Sequence, residues 1–268
     1  VRVPDLKRKK ESGEKIAMLT VYDATMARLL DRAGVDVFLV GDSLGMVILG
    51  HETTVPVTLE AMIHHTAAVA RGTRRALVVA DMPFLTYQLD PTDTIRNAGR
   101  LVQQGGAAAV KIEGAGPAIE AACRLVDVGI PVMAHLGLTP QHVHRLGGFR
   151  RQAVTPRDAD RLVTDAVALE HAGAFAVVLE SVPDDVARRV TGELSIPTIG
   201  IGAGPHCDGQ VLVGYDVLGL SESAPSFAKQ YAALGDAIVR AAEQYVRDVR
   251  EGAFPQAELK PAPSRTAR

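Results

Sequence analysis

Val35-Asp36-Val37-Phe38-Leu39-Val40-Gly41-Asp42, residues 35–42, is a short β-rich apolar run that stops at a glycine and then a carboxylate. Runs of this kind recur along the whole chain, each ended by Gly, Asp or Pro and usually followed by a helical pattern. The candidate strands are Ile16–Thr20, Val35–Val40, Ala76–Ala80, Ala107–Ile112, Pro131–His135, Ala174–Leu179, Thr198–Ile201 and Val211–Tyr215. Strand alternating with helix implies a parallel sheet. Helix starts are marked by Asp90-Pro91-Thr92-Asp93 and Thr155-Pro156-Arg157-Asp158, each with a capping side chain, a first-turn proline and an early carboxylate. Beyond the second, Leu162, Val163, Ala166, Val167 and Leu169 form an apolar stripe for packing on the sheet.

Two links break the repeat. Asp42 to Val57 is a long glycine-containing excursion, the length of an active-site loop. The link between the seventh and eighth candidate strands is too short for a crossover helix. Eight parallel strands can close into a barrel or spread as an open doubly wound sheet, and periodicity leaves both open. The strand count and a chain of 268 residues favour closure, as one (β/α)8 TIM-barrel domain over residues 1–268. Pro225 to Arg250 reads as one or two terminal helices. The Ala- and Pro-rich end, about 255–268, reads as a mobile tail or as a segment lying on a neighbouring subunit.

The composition narrows the classes of function. With 47% hydrophobic residues but only 4% aromatic and no Trp, the core is one of small aliphatic side chains. Lys and Arg total 29 against 31 Asp and Glu, which is not the basic excess that neutralises a phosphate backbone, so nucleic acid is not the expected partner. Cys123 and Cys207 have neither disulfide-framework nor zinc spacing, as befits a reducing cytoplasm. Arg2, Lys7, Arg8, Lys9 and Lys10 precede no signal-peptide apolar stretch and read as a short solvated leader. Apolar runs end long before the ~20 residues that span a bilayer, so no membrane partner is expected.

In a barrel of this class the active site lies at the carboxyl ends of the strands. Polar residues are dense there: Asp42, Asp81, Glu113, His135 and Glu180 each follow or end an apolar run. Alternation along a strand turns Lys111 and Glu113 to one face, with Ile112 opposite. Alone, each residue has a plain reading, as a cap, a core histidine or an ion-pair partner. Together they point to chemistry. Asp42, Asp81 and Glu113 would repel one another without a cation, and a hard divalent ion such as Mg2+ would hold all three as anions. Magnesium held by few carboxylates leaves room for a 2-oxo acid that chelates through its ketone and carboxylate oxygens. It would then stabilise the charge of an enolate. Ser43 and nearby backbone donors, with Lys111, suit the substrate carboxylate, and Glu180 is left as general base. The glycines of Gly200-Ile201-Gly202-Ala203-Gly204 fit either a phosphate cradle or a close backbone approach.

Several of these stretches occur together in one family. Leu19-Thr20-Val21-Tyr22-Asp23, Val40-Gly41-Asp42-Ser43-Leu44-Gly45-Met46, Val79-Ala80-Asp81-Met82-Pro83-Phe84, Val110-Lys111-Ile112-Glu113-Gly114 and His135-Leu136-Gly137-Leu138-Thr139-Pro140-Gln141 resemble ketopantoate hydroxymethyltransferase. So do Val178-Leu179-Glu180, Ile196 through Gly204 and Cys207 through Leu212, and the similarity runs from Met18 to Pro255. The resemblance implies hydroxymethyl transfer from 5,10-methylenetetrahydrofolate to 3-methyl-2-oxobutanoate, forming 2-dehydropantoate for pantothenate biosynthesis. It implies that Asp42, Asp81 and Glu113 belong to the magnesium site, that Asp42, Ser43, Asp81 and Lys111 contact the oxo acid, and that Glu180 accepts the proton. His135 is implied as a substrate-lining group, and assembly as a homo-oligomer, commonly a decamer. Ala134 stands where the family often has glycine and Ser181 where it often has cysteine; neither is a reacting group.

Two rivals remain at this level. A magnesium-dependent 2-oxo acid lyase or phosphoenolpyruvate-mutase-like barrel would share the chelation but need no folate. A catalytically silent barrel would bind without turnover, which the full acid, base and metal set argues against.

Overall fold

The computed structural model describes residues 1–255, so the expected tail lies outside the described residues beyond Pro255. The elements in order are α1 (Val3–Ser12), β1 (Ile16–Thr20), α2 (Ala24–Arg32), β2 (Val37–Val40), α3 (Leu44–Val47), α4 (Leu59–Gly72), β3 (Leu77–Asp81) and α5 (Pro91–Gln103). Next come β4 (Ala109–Glu113), α6 (Pro117–Asp127), β5 (Val132–Gly137), α7 (Val143–Leu146), α8 (Pro156–His171), β6 (Ala176–Glu180) and α9 (Asp184–Glu193). The chain finishes with β7 (Thr198–Ile201), β8 (Gly209–Leu212), α10 (Gly214–Leu218) and α11 (Leu234–Arg250). All strands are parallel and the sheet is closed, β8 returning to β1 with Met18 opposite Val211.

Strand parity divides the core. Val37, Leu39, Leu77, Val79, Ala109, Met133, Ala176, Val178, Ile199 and Val211 fill the barrel interior. Their neighbours Phe38, Val40, Val78, Ala80, Val110, Ile112, Ala134, Val177 and Leu179 face outward into a second apolar layer shared with the helices. The helices start where their caps dictate: Asp90 accepts from Thr92 N and Asp93 N, and Thr155 accepts from Asp158 N, as the Asp-Pro and Thr-Pro pairs foretold.

Three segments depart from the sequence expectation. Residues expected as a solvated leader form α1, whose Leu6 is fully buried at the amino end of the barrel interior. The basic residues do not mark a solvated strand of chain. Lys10 Nζ donates to Thr191 O, Ile196 O and Asp208 Oδ2 at 2.9–3.0 Å, strapping the helix across the barrel floor. The eighth strand runs Gly209–Leu212, two residues ahead of its expected start, and the expected strand end belongs to α10. Gly209 sits between β1 and β7, where a Cβ would lie 2.6 Å from Ile16 O, so a residue poor in β propensity is required by the close approach. The terminal helix begins at Leu234 rather than near Pro225; residues 225–233 cross the barrel mouth without helix, Tyr231 N donating to Val217 O at 2.8 Å.

Among the described residues no helix is long and apolar enough to cross a membrane.

Because Leu6 seals the interior layer, Leu6→Ala should cost about 2–4 kcal/mol in denaturant unfolding. A change below about 0.5 kcal/mol, the value for a surface position, would contradict the packed role of α1.

Candidate functional site

The same parity that packs the interior aims the site. On β3, Leu77 and Val79 point inward and so does Asp81; on β4, Ala109, Lys111 and Glu113; on β5, Met133 and His135; on β6, Ala176, Val178 and Glu180. Register makes them neighbours, with Asp81 paired to Lys111, Glu113 to His135, and Gly137 to Glu180. Asp42 follows β2 through Gly41, where a Cβ would stand 2.7 Å from Ser43 Oγ, so a larger residue there would push the serine hydroxyl from its place beside Tyr22.

Lys111 Nζ is 3.1 Å from Asp81 Oδ1 and 3.5 Å from Glu113 Oε1. His135 bridges two acids, its Nδ1 3.1 Å from Glu113 Oε1 and its Nε2 3.2 Å from Glu180 Oε2; the second is an ion-pair distance off the line of a good hydrogen bond. Asp42 N donates to Asp81 Oδ2 at 2.9 Å. Ser43 Oγ is 2.9 Å from Tyr22 OH, which also accepts from Thr20 Oγ1. Asp42, Asp81, Lys111, Glu113 and His135 are all buried, and Glu180 is only half-buried, its carboxylate open to the cavity. The structure thus brings together every expected site residue.

Burial dominates the electrostatics and the charges then decide each sign. Burial, with the charges of Asp81 and Glu113, holds the Asp42 carboxyl well above the usual range; Lys111 and Gln141 offset only part of this. Asp81 is also raised by burial, against the opposing charge of Lys111. For Glu113, burial is outweighed by the charges of His135 and Lys111 and by their hydrogen bonding, which takes it down to about 2. Lys111 is raised, because three carboxylates overcome its desolvation. His135 is carried up to about 9: burial and Lys111 pull it down, and Glu113 and Glu180 more than compensate.

Two further residues hold this cluster and had no role in the sequence reading. Gln141 N donates to Glu113 Oε2 at 3.1 Å, and Gln141 Nε2 donates to Asp42 Oδ2 and Met82 O, both at 2.9 Å. Tyr87 OH donates to Gln141 Oε1 at 2.8 Å and accepts from Glu113 N at 3.0 Å. Gln141 closes the His135–Gln141 motif, so its place was visible there; Tyr87, on the link after β3, carries no local signal. Gly137, at φ +90, lets the β5 end pass Glu180, since a Cβ would lie 2.2 Å from Glu180 O.

Among the described residues, no three acidic, histidine or cysteine side chains converge at metal-ligand geometry. The donor set still suits a hard cation at one place. Asp81 Oδ1 is buried and faces only the Lys111 ammonium, at an ion-pair distance of 3.1 Å outside good hydrogen-bond geometry, and Asp42 beside it has only Gln141 on one oxygen. Glu113 differs, both of its oxygens being occupied by His135 and Gln141.

These residues floor a cavity of about 1060 Å³. Met46, Gly50 and His51 of the Asp42–Val57 excursion form one wall, and Leu212 through Phe227 supply the other. Gly202 of the glycine-rich turn lies under Phe227, its missing Cβ 2.9 Å from the ring, so close approach explains that glycine.

A family model described as ketopantoate hydroxymethyltransferase matches residues 1–257. The 3-methyl-2-oxobutanoate hydroxymethyltransferase of Thermosynechococcus vestitus is 56% identical over 256 residues, 95% of this chain and 98% of that protein. The protein of the same name from Moorella thermoacetica is 55% identical over 259 residues, 96% of each. Among solved structures, 2,3-dimethylmalate lyase, described as a PEP mutase/isocitrate lyase superfamily member, covers 97% of this chain and 92% of its own at TM-score 0.60 and 19% identity. Phosphonopyruvate hydrolase in complex with oxalate and Mg++ covers 95% and 92% at TM-score 0.62 and 13% identity. At such identities the structural likeness concerns the fold alone.

Two outcomes follow from the geometry. In a cycle of Tyr87→Phe and Gln141→Leu, denaturant unfolding should give a coupling of about 1–2 kcal/mol, because each hydroxyl or amide loss leaves the other's partner unpaired; additive losses would contradict the shared lattice. Protonation of His135 stabilises the fold fully below the free value of 6.5, and that contribution is lost as pH rises through about 9. In the metal-free protein the imidazole should therefore be protonated at pH 8 by nitrogen-15 NMR, and a neutral ring there would contradict the charge balance described.

Proposed function

We infer that this chain, which belongs to the ketopantoate hydroxymethyltransferase family, transfers a hydroxymethyl group to 3-methyl-2-oxobutanoate at the mouth of its barrel. The observation that carries the assignment of the site is the set of ionisable side chains on five consecutive strand ends, four of the strands presenting them inward by parity alone. The lyase and mutase alternative shares the fold, but the relatives at about 55% identity over most of the chain are named hydroxymethyltransferases.

The residue roles form a chemical division of labour. Asp42 and Asp81 would hold Mg2+ directly, through the Asp42 oxygen that Gln141 leaves open and the Asp81 oxygen that meets only the Lys111 ammonium, and Glu113, saturated by His135 and Gln141, would reach it through water. When bound, that ion would polarise the ketone of the oxo acid and stabilise negative charge on its oxygen. Lys111, with Ser43 and the backbone beside Asp42, would orient the anionic substrate. Glu180, the acid of the group that opens to the cavity, would take the proton from C3. His135, paired with Glu113 and Glu180, lines the substrate and fixes the direction of the Glu180 carboxylate.

The one-carbon donor in this reading is 5,10-methylenetetrahydrofolate, and the cavity is large enough for it beside the oxo acid: about 1060 Å³ lies just above the ~300–1,000 Å³ that holds drug-sized ligands. The protein would work in the cytoplasm, where exposed Cys123 and buried Cys207 stay reduced. It would self-associate, as a decamer on the family resemblance. Support for self-association comes from α11, which buries no residue and exposes Ile238, Val239, Tyr245, Val246 and Val249, a face that a second copy of the chain would cover.

Glu180→Gln should bind oxo acid with magnesium but exchange the C3 proton about 10²–10⁴-fold more slowly in D2O. Asp81→Ala should weaken metal and oxo acid together. Exchange at the unmodified rate in Glu180→Gln would remove Glu180 as the base.

A further inference from the structure

The barrel mouth is split by charge. Asp42, Asp81, Lys111 with Glu113, His135 and Glu180 stand on or just after β2 through β6, whereas β7, β8 and β1 end in Ile201, Leu212 and Thr20. The neutral sector belongs to the same cavity and is walled by the segment after β8. One ionisable group on that wall is buried: Asp216, 8% exposed. Its Oδ1 accepts from Ser221 Oγ at 2.6 Å, and among the described residues no cation pairs with it. The same segment lines the cavity with Leu220, with Tyr215, whose ring meets Tyr22 edge-on at 5.8 Å, and with Phe227, laid over Gly202, alongside the polar Ser221, Glu222 and Ser223.

A buried carboxylate without a cation is costly unless donors reach it. Here one oxygen has a hydroxyl and the group still faces the cavity. The oxo acid is an anion, which Asp216 repels and which the lysine on the other side attracts. The neutral sector therefore fits a second ligand that is flat, aromatic and able to present N–H groups to a carboxylate. The amino-pyrimidinone edge of a pterin has a ring N–H beside an exocyclic amino group, two parallel donors at the spacing of two carboxylate oxygens.

We propose that Asp216, steadied by Ser221, receives the amino-pyrimidinone edge of the one-carbon donor's pterin ring, with Phe227 and Tyr215 as the aromatic walls of that subsite. The proposal rests on the reading of the donor as a reduced folate. It places the donor across the charged floor from β3 and β4, so that the oxo acid and the one-carbon unit meet over the cavity between the two sectors.

The test compares two probes by calorimetry: tetrahydrofolate, and its analogue with a methyl group in place of the 2-amino group. The whole protein should prefer tetrahydrofolate by about 10–100-fold, the scale of one charge-assisted hydrogen bond. Asp216→Asn and Asp216→Ala should lose that preference to within about threefold while still binding the analogue, which shows that the variant is folded. Failure of the unmodified protein to bind either probe would overturn the folate reading itself. Equal binding of both probes by the unmodified protein, a preference that persists in Asp216→Asn, or a loss of both probes alike in the variants would each overturn the subsite and leave the folate reading standing or unaffected.

Discussion

A surplus of buried negative charge around a single lysine is the constraint on which this molecule is built. Asp42, Asp81 and Glu113 are buried on neighbouring strand ends, with Lys111 within 3.1–3.5 Å of two of them. Taking such groups out of water costs several kcal/mol per ion unless geometry and hydrogen bonding repay it. The repayment is uneven. Glu113 receives His135, Lys111 and the Gln141 backbone and is an easily held anion; Asp42 and Asp81 are left raised, in want of positive charge. That imbalance makes the second pair the natural place for a divalent cation and for the substrate that would bind with it.

The barrel keeps this costly chemistry apart from its own stability. Below the mouth the interior is wholly apolar, from Val79 and Met133 down to Leu6 of α1, and the floor is tied by Lys10 and Asp208. Above it, the polar lattice of Gln141 and Tyr87 reaches from the β3 and β5 links to three strand ends at once. The acids are therefore positioned by groups that are themselves fully hydrogen-bonded, which is what keeps a buried cluster in one arrangement.

Much of this was legible from residue order. Strand and helix alternation foretold the parallel sheet, strand count and chain length its closure, and period-2 alternation foretold that Lys111 and Glu113 share a face. The acids at strand ends were visible because each interrupts an apolar run. What was hidden lies at contacts distant in sequence. Gln141 meets Asp42 across 99 positions, and Tyr87 meets Gln141 across 54, distances at which no local pattern speaks. The basic residues of α1 masked a helix with one buried leucine, and Gly209 masked a strand, because β1 and β7 require a glycine there for steric reasons. Asp216 directly follows the expected eighth strand, as Asp81 follows the third, so its position was legible although it was given no role; it lies in a short helix whose amino end donates from Gly214 N to Thr20 Oγ1 at 3.0 Å.

The fold is shared with a lyase and a hydrolase, so the barrel by itself does not fix the chemistry, and the proposed function rests on the arrangement of charges at the mouth. The central claim is that oxo acid and cation satisfy that arrangement together. It is tested most directly by calorimetric titration of 3-methyl-2-oxobutanoate into the metal-free protein and into the protein saturated with magnesium. The account predicts binding at least about tenfold tighter with the ion, and reciprocally tighter magnesium binding with the oxo acid present. Equal affinity with and without magnesium would contradict it.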